Sequence, residues 1–106
     1  MTDDEATAER LKALGHPVRL AIVRALAERD RCCCADVCSL LPLAQSTVSQ
    51  HLKVLKEAGL VCFRRDGVRS SYVLNPAAFA AFRADLQEIT ELVGLVSGAA
   101  GAGEGT

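Results

Sequence analysis

Four of the five cysteines of the chain lie within seven consecutive positions, in the segment CCCADVC of residues 32–38. A hydrophobic core does not require such a density of thiols. Thiolates are soft donors that favour thiophilic metal and metalloid ions, and neighbouring reactive thiols can also act as redox sensors. The segment therefore predicts a binding site for a soft ion, or a redox-sensitive site.

The spacing of these cysteines favours a site made of three sulfurs. Cys34 and Cys38 are four residues apart, so a helix would place them on one face, and Cys33 stands at the start of the same turn. Trivalent arsenic and antimony bind three thiolates in a pyramid, whereas zinc normally takes four ligands, often including histidine or carboxylate. We predict As(III) or Sb(III) as the ligand, with Cys33, Cys34, Cys38 and Cys32 as candidate donors. Binding of Cd(II), Pb(II) or Zn(II) and thiol-redox sensing are the alternatives.

A second segment, STVSQHL at residues 46–52, has the small polar side chains that begin a DNA-recognition helix. A helix over Gln45–Ala58 would bury Val48, Leu52 and Leu55 and expose its polar side to the major groove. Gln50 suits bidentate bonding to adenine, and basic side chains suit phosphates. The candidate DNA-binding residues are Gln45, Ser46, Thr47, Ser49, Gln50, Lys53, Arg64, Arg65 and Arg69.

Some residues near these segments also have a purely structural interpretation. Ser46 or Thr47 is a candidate N-cap of the recognition helix. His51 lies beside the buried stripe, so we expect it to pack or to bond to the backbone rather than to contact a base. Cys62, between Val61 and Phe63, is expected to be a small buried hydrophobe.

The charge distribution favours contact with nucleic acid in one region. The net charge of the whole chain is −1. Between residues 45 and 75, however, the basic residues Lys53, Lys56, Arg64, Arg65 and Arg69 face only Glu57 and Asp66 as acidic residues. A local excess of positive charge is what contact with the phosphates of double-stranded DNA requires.

The remaining pattern predicts the elements that position these residues. We expect helices over residues 4–14 and 17–30, a short helix from the cysteine segment to about residue 41, and the recognition helix. Strands over 60–65 and 70–74 follow, joined through Asp66-Gly67, and Asn75 caps a last helix that begins at Pro76. This order predicts a winged helix-turn-helix, a mainly α fold with a β-hairpin (α+β). Residues 1–97 would form the domain and residues 98–106 a disordered Gly/Ala-rich tail.

The last helix carries a seam of apolar residues. They recur at spacings of three and four, a heptad pattern that favours pairing with another helix over packing on a core. Because a domain of 106 residues has a modest core, we predict a homodimer. The seam consists of Phe79, Phe82, Leu86, Ile89, Val93 and Val96.

Other classes of protein are disfavoured. The N-terminus is acidic and lacks the apolar region of a signal peptide, and no apolar run approaches the ~20 residues of a membrane span. We therefore expect a cytoplasmic protein without membrane contact, in a compartment that keeps thiols reduced. The chain has no Cys-x-x-Cys in a βαβ context, no phosphate loop and no nucleophile elbow, so we expect neither enzymatic activity nor an organic cofactor.

Several segments together resemble the ArsR/SmtB family of metalloregulatory repressors. They are LGHPVRL at residues 14–20, STVSQHL at 46–52, AGLV at 58–61 and RRDG at 64–67. The resemblance runs without gaps from residue 9 to residue 74. It implies a homodimeric winged-helix repressor that leaves its operator when it binds a metal or metalloid. Since the family forms its dimer through the first and last helices, Leu11 joins the seam as a candidate interface residue.

The resemblance also bears on the ligand. Arsenic-responsive members carry Cys-x-Cys-Asp-Leu-Cys at the start of the short helix, and Cys33 and Cys38 align with the two outer cysteines. Ala35 takes the place of the middle one, so the third sulfur would come from Cys34 or Cys32. Zinc-sensing members use an Asp-x-His pair and a distal histidine on the last helix, and this sequence has no histidine after His51.

Overall fold

The computed structural model describes residues 3–29 and 34–99 of the chain. The helices are α1 (Asp3–Leu14), α2 (Pro17–Glu28), α3 (Cys34–Leu40), α4 (Gln45–Glu57) and α5 (Pro76–Ala99), and the strands are β1 (Val61–Asp66) and β2 (Arg69–Leu74). The two strands form an antiparallel hairpin between α4 and α5. The predicted α+β winged helix-turn-helix is therefore confirmed. Within the described residues, no helix is both long and apolar enough to cross a membrane.

The hydrophobic core is built around α4. Val48, Leu52 and Leu55 of this helix are all 0% exposed, as the sequence period predicted. They pack with fully buried residues from the neighbouring elements, which are Ile22 of α2, Val37 of α3 and Leu60 before β1. Because each such side chain contributes about 1.5–3 kcal/mol on burial, α4 is held by the core along its entire length.

The C-terminal end of α4 is fixed by its backbone. Gly59 has a φ of 79°, in the left-handed region that glycine adopts without strain. This lets the N–H of Gly59 donate to the carbonyl of Lys56 and the N–H of Leu60 donate to the carbonyl of Leu55, at 2.9 and 3.0 Å. These two bonds form a Schellman motif, which ends the helix and turns the chain towards β1.

Asn75 joins the start of α5 to the same place. Its side-chain oxygen accepts from the N–H of Ala78 at 3.3 Å, the capping role that the sequence predicted. Its side-chain nitrogen donates to the carbonyl of Gly59 at 3.0 Å, and its backbone N–H donates to the carbonyl of Leu60 at 2.9 Å. The end of α4 and the beginning of α5 are therefore bonded directly to each other.

Several boundaries differ from the sequence prediction by one or two residues, and two of these differences have a clear physical reason. The turn of the hairpin is Gly67-Val68, and Asp66 is the last residue of β1, paired with Arg69. Gly67 has a φ of 67°, which a two-residue hairpin turn requires at its first central position. At the other end, α5 continues to Ala99 and thus includes the start of the segment expected to be disordered. Adding residues to an existing helix costs little because each gains one backbone hydrogen bond. Residues 100–106 lie outside the described part.

A polar cluster connects α1, α2 and α4. Arg19 of α2 donates through Nε to the carbonyl of Ala13 at 2.5 Å, and its Nη1 lies 3.1 Å from Nδ1 of His51 on α4. Because a guanidinium only donates, Nδ1 of His51 must accept and carry no proton. The His51 ring also lies 4.5 Å from the ring of His16, the N-cap of α2. His51 is thus a packed histidine, as predicted, and its partner is a side chain.

This environment makes the fold sensitive to acid. Partial burial lowers the pKa of His51 below its ordinary 6.5, and the electrostatic influence of His16 and Arg19 lowers that pKa further. The unfolded chain therefore binds a proton at His51 at a higher pH than the folded chain does. The stability of the folded state must then fall as the pH drops through 6.5 towards the lower, folded-state pKa.

We expect His51→Gln, whose side-chain oxygen can still accept from Arg19, to lack this pH dependence. Urea denaturation at a series of pH values checks it. The midpoint of the wild type should fall relative to that of His51→Gln between about pH 7.5 and pH 5.5. A constant difference between the two proteins over this range would contradict the assignment of the effect to His51.

Candidate nucleic-acid interface and cysteine segment

The exposed side of α4 forms a shallow polar depression. It is lined by Ser46, Ser49, Gln50, Lys53, Lys56 and Tyr72, of which all but Tyr72 belong to α4. The N-cap of α4 is Ala44, which makes no side-chain capping bond, so neither Ser46 nor Thr47 is the cap. Ser46, Ser49, Gln50 and Lys53 are all exposed, and Gln45 stands beside them in the first turn. The structure thus brings Ser46, Ser49, Gln50 and Lys53 to one surface, whereas Thr47 is half-buried and does not line it. Contact of the predicted α4 residues with DNA stays a prediction.

The two sides of the hairpin differ in what they face. Alternate residues of a strand point to opposite sides, so Val61, Phe63 and Arg65 share one side of β1 and Cys62 and Arg64 share the other. Val61 is buried in the core and the Phe63 ring lies 5.6 Å from Nζ of Lys56, so the side of Arg65 is the one towards α4. Arg64 and Arg65 are both exposed but on opposite sides. The side chain of Arg69 lies outside the described part.

Sequence reasoning did not select Lys56 and Tyr72 as site residues. Lys56 continues the exposed series at three- and four-residue spacing from Ser46 through Ser49 and Lys53, so the helical period was a sufficient signal for it. Tyr72 reaches the depression from β2 because it is paired with Phe63 across the hairpin. Such a placement depends on strand register and on how the hairpin packs, which no local pattern reveals.

The cysteine segment is described only in part. Cys32 and Cys33 lie outside the described residues, as does the side chain of Cys34, whose backbone begins α3. Cys38 is half-buried with a free thiol and packs against the core. No group of three or more metal-binding side chains occurs among those that the structure describes. The predicted donor set of three sulfurs therefore stays a prediction. Cys62 is a free, half-buried thiol, less enclosed than predicted.

The short helix α3 is tied directly to the recognition helix. Val37 is 0% exposed and lies in the same core cluster as Val48, Leu52 and Leu55. The backbone N–H of Leu41 donates to the carbonyl of Val37 at 3.1 Å, and only a short turn separates α3 from α4. Because packed interiors transmit displacements, a change at the start of α3 would be felt by α4.

The last helix is attached to α1 by a polar contact and exposes apolar residues beyond it. The Thr7 hydroxyl donates to Oδ2 of Asp85 at 2.6 Å, and Nη1 of Arg10 lies 3.8 Å from the same oxygen. Leu11 of α1 is 45% exposed. Of the seam, Phe79, Phe82 and Leu86 are half-buried, whereas Ile89, Val93 and Val96 are 44–69% exposed. Leu92 and Leu95, which do not belong to the seam, are 59% and 72% exposed. Leu11 of α1 and the C-terminal half of the seam on α5 are thus exposed apolar residues, and their place in an interface stays a prediction.

Comparison with known proteins by family model, by sequence and by structure finds transcriptional regulators in each case. Residues 16–62 match the model of a family described as bacterial regulatory protein, arsR family. A helix-turn-helix transcriptional regulator of Methanocaldococcus jannaschii is 40% identical over 70 residues, 66% of this chain and 79% of the relative. The repressor SmtB of Mycobacterium tuberculosis is 46% identical over 70 residues, 66% of this chain and 51% of the relative. A crystal structure described as a possible transcriptional regulator for arsenical resistance superimposes with a TM-score of 0.70 at 34% identity, covering 84% of this chain and 94% of that one.

We expect Gln50→Ala to cost about 1–3 kcal/mol in binding to operator DNA and little in binding to random DNA, because Gln50 would read a base edge. Fluorescence anisotropy with labelled duplexes at several salt concentrations measures both. Equal losses on the two DNAs would show that Gln50 contacts only the backbone.

Arg65→Ala provides the matched comparison. It should weaken binding to both DNAs alike and lower the slope of log affinity against log salt by about one unit, since a phosphate contact releases a counterion.

Proposed function

Since this chain belongs to the ArsR family of bacterial regulatory proteins, we propose that it represses transcription as a homodimer and leaves its operator when As(III) or Sb(III) binds its cysteine segment. It is a transcriptional regulator of the ArsR/SmtB family and not an enzyme. The homodimer, the operator complex and the identity of the inducing ion are the parts that we propose.

The observation that carries this proposal is the position of the cysteines. Four of them stand in residues 32–38, of which Cys34 and Cys38 belong to α3, and α3 packs through Val37 in the same core cluster as the inner side of the recognition helix. A soft ion at this point would act on the element that supports α4. No other described part of the chain combines several thiols with such a connection to the DNA-facing surface.

Trivalent metalloids fit the donor set best. The segment offers thiolates and, in its neighbourhood in sequence, no histidine that zinc would favour. Cys34 and Cys38 are the first and fifth residues of α3 and thus lie on one helix face. A related protein of solved structure is described as a possible transcriptional regulator for arsenical resistance. Cd(II), Pb(II), Zn(II) and thiol oxidation are the competing inducers, and titrating the DNA complex with each agent in turn separates them.

Binding would have to alter the first turn of α3. Neighbouring residues of a helix point about 100° apart, so Cys33 and Cys34 do not converge on one atom together with Cys38 while the turn is regular. The energy for distorting this turn can come only from the difference between the affinities of the ion for the two conformations. Because Val37 belongs to the same core cluster as Val48, distortion of α3 would change the orientation of α4. The distance between the two recognition helices of the dimer would then change as well.

The homodimer is proposed from the apolar surface on α1 and α5. A surface of this kind on a soluble domain normally marks an interface, and dimeric helix-turn-helix proteins place two recognition helices about one turn of DNA apart. A second copy of the chain would cover Leu11 and the α5 seam and would supply the second recognition helix.

We expect charged residues at Phe82 and Leu86, introduced as Phe82→Glu and Leu86→Lys, to dissociate the dimer and abolish operator binding. Sedimentation at micromolar concentration measures the assembly. Glu91→Lys, a charge change on the opposite side of the same helix, should leave both properties intact. A wild-type chain that sedimented as a monomer would refute the homodimer.

We further expect Cys33→Ser and Cys38→Ser to bind operator DNA like the wild type but to stay bound in arsenite. Each variant lacks one of the three sulfurs that a pyramidal site needs. Gel shift with the DNA upstream of the chain's own gene, titrated with arsenite, methylarsenite, Cd(II) and Zn(II), measures both properties. Cys62→Ser is the matched control, a free thiol on β1 outside the segment, and should respond normally.

Two outcomes would change the proposal. Release of Cys33→Ser and Cys38→Ser by arsenite as readily as the wild type would place the sensor elsewhere. Release of the wild type by Cd(II), Zn(II) or an oxidant but not by arsenite would keep the repressor and replace the inducer.

A further inference from the structure

Tyr72 is held firmly beside the recognition helix. It is paired with Phe63 across the hairpin, and the two rings meet edge-on with their centroids 5.1 Å apart. The Tyr72 side chain is half-buried and packs against the hydrophobic core. Nζ of Lys56 also lies 5.6 Å from the centroid of the Phe63 ring. These contacts connect the end of α4 to the hairpin and fix the place of the tyrosine.

The surface that Tyr72 lines has the chemistry of a phosphate contact. Its other described lining residues are Ser46, Ser49, Gln50, Lys53 and Lys56, and none of these is acidic. Two ammonium groups supply positive charge, and hydroxyl and amide groups supply neutral donors. Phosphate oxygens of DNA are bound by this combination, with tyrosine among the usual donors. A phenol also suits the position because its ring can be buried while its hydroxyl stays in a polar place.

We infer that Tyr72 is a DNA-contacting residue whose hydroxyl donates a hydrogen bond to a phosphate beside the recognition helix. The inference rests on the proposed binding of operator DNA by α4. The ring holds the hairpin against Phe63, and the hydroxyl fixes how deeply α4 enters the groove. Because the hydroxyl is neutral, its contact displaces no counterion, which distinguishes Tyr72 from the lysines of the same depression.

Affinity measurements test this contact. Tyr72→Phe removes only the hydroxyl and keeps the ring that packs on Phe63. We expect it to bind upstream and random duplexes alike about tenfold more weakly, in the range for a hydrogen bond to a charged group, with the salt slope of the wild type. Lys53→Ala should instead lower that slope by about one unit. Ser71→Ala, which removes a hydroxyl on the opposite side of β2, should match the wild type.

The composition of the chain allows a direct observation. Tyr72 is the single tyrosine, so protein grown with ring-¹³C tyrosine gives one labelled side chain. Its NMR signal should shift on addition of the upstream duplex and saturate at the stoichiometry of the complex. Unchanged affinity of Tyr72→Phe, or an unshifted signal at saturation, would overturn the inference.

Two further results separate the possible failures. A loss for Tyr72→Phe on upstream DNA alone would indicate a base contact and overturn the phosphate assignment. A wild-type chain that bound no DNA would overturn the proposed function together with this inference, whereas normal wild-type binding with an unaffected Tyr72→Phe would overturn the inference alone.

Discussion

The burial of one side of α4 is the constraint on which the rest of the structure depends. Val48, Leu52 and Leu55 are entirely enclosed, and every other helix of the domain core reaches them or their neighbours. A helix of 13 residues has little surface left once one side is used in this way, so the opposite side must carry the polar residues. The exposed polar surface of α4 and the core are therefore two sides of one short element, so a displacement in the core beneath α4 would also move that surface.

This arrangement explains why much of the fold follows from the sequence and some of the site does not. The period of the apolar residues predicted α4 and its buried side, and the positions of Pro17, Gly59 and Asn75 predicted where helices start and stop. The hairpin turn was predicted one residue too early, because Asp66-Gly67 resembles a turn locally while the pairing of Asp66 with Arg69 moves the turn to Gly67-Val68. In a strand, such a shift decides which side a residue faces.

In the candidate site, too, some residues follow from the local sequence pattern and others depend on how the strands pair and pack. Ser46, Gln50 and Lys53 share a face because the helical period requires it, so the sequence predicted them. Tyr72 joins them through register and packing, and Arg65 differs from Arg64 only through the side of β1 that it occupies. For the cysteines, the departure from the family pattern at Ala35 leaves the third sulfur open between Cys34 and Cys32, because spacing alone is compatible with either.

The bonds of Asn75 to Gly59 and Leu60 allow the length of the hairpin to vary without disturbing the helices on either side. They hold the two ends of the hairpin together at its base, so the segment between them is a closed excursion of the chain. Its tip at Val68 is fully exposed, and lengthening such a loop costs little entropy. Residues can therefore be inserted or deleted at the tip while α4 and α5 keep their mutual placement.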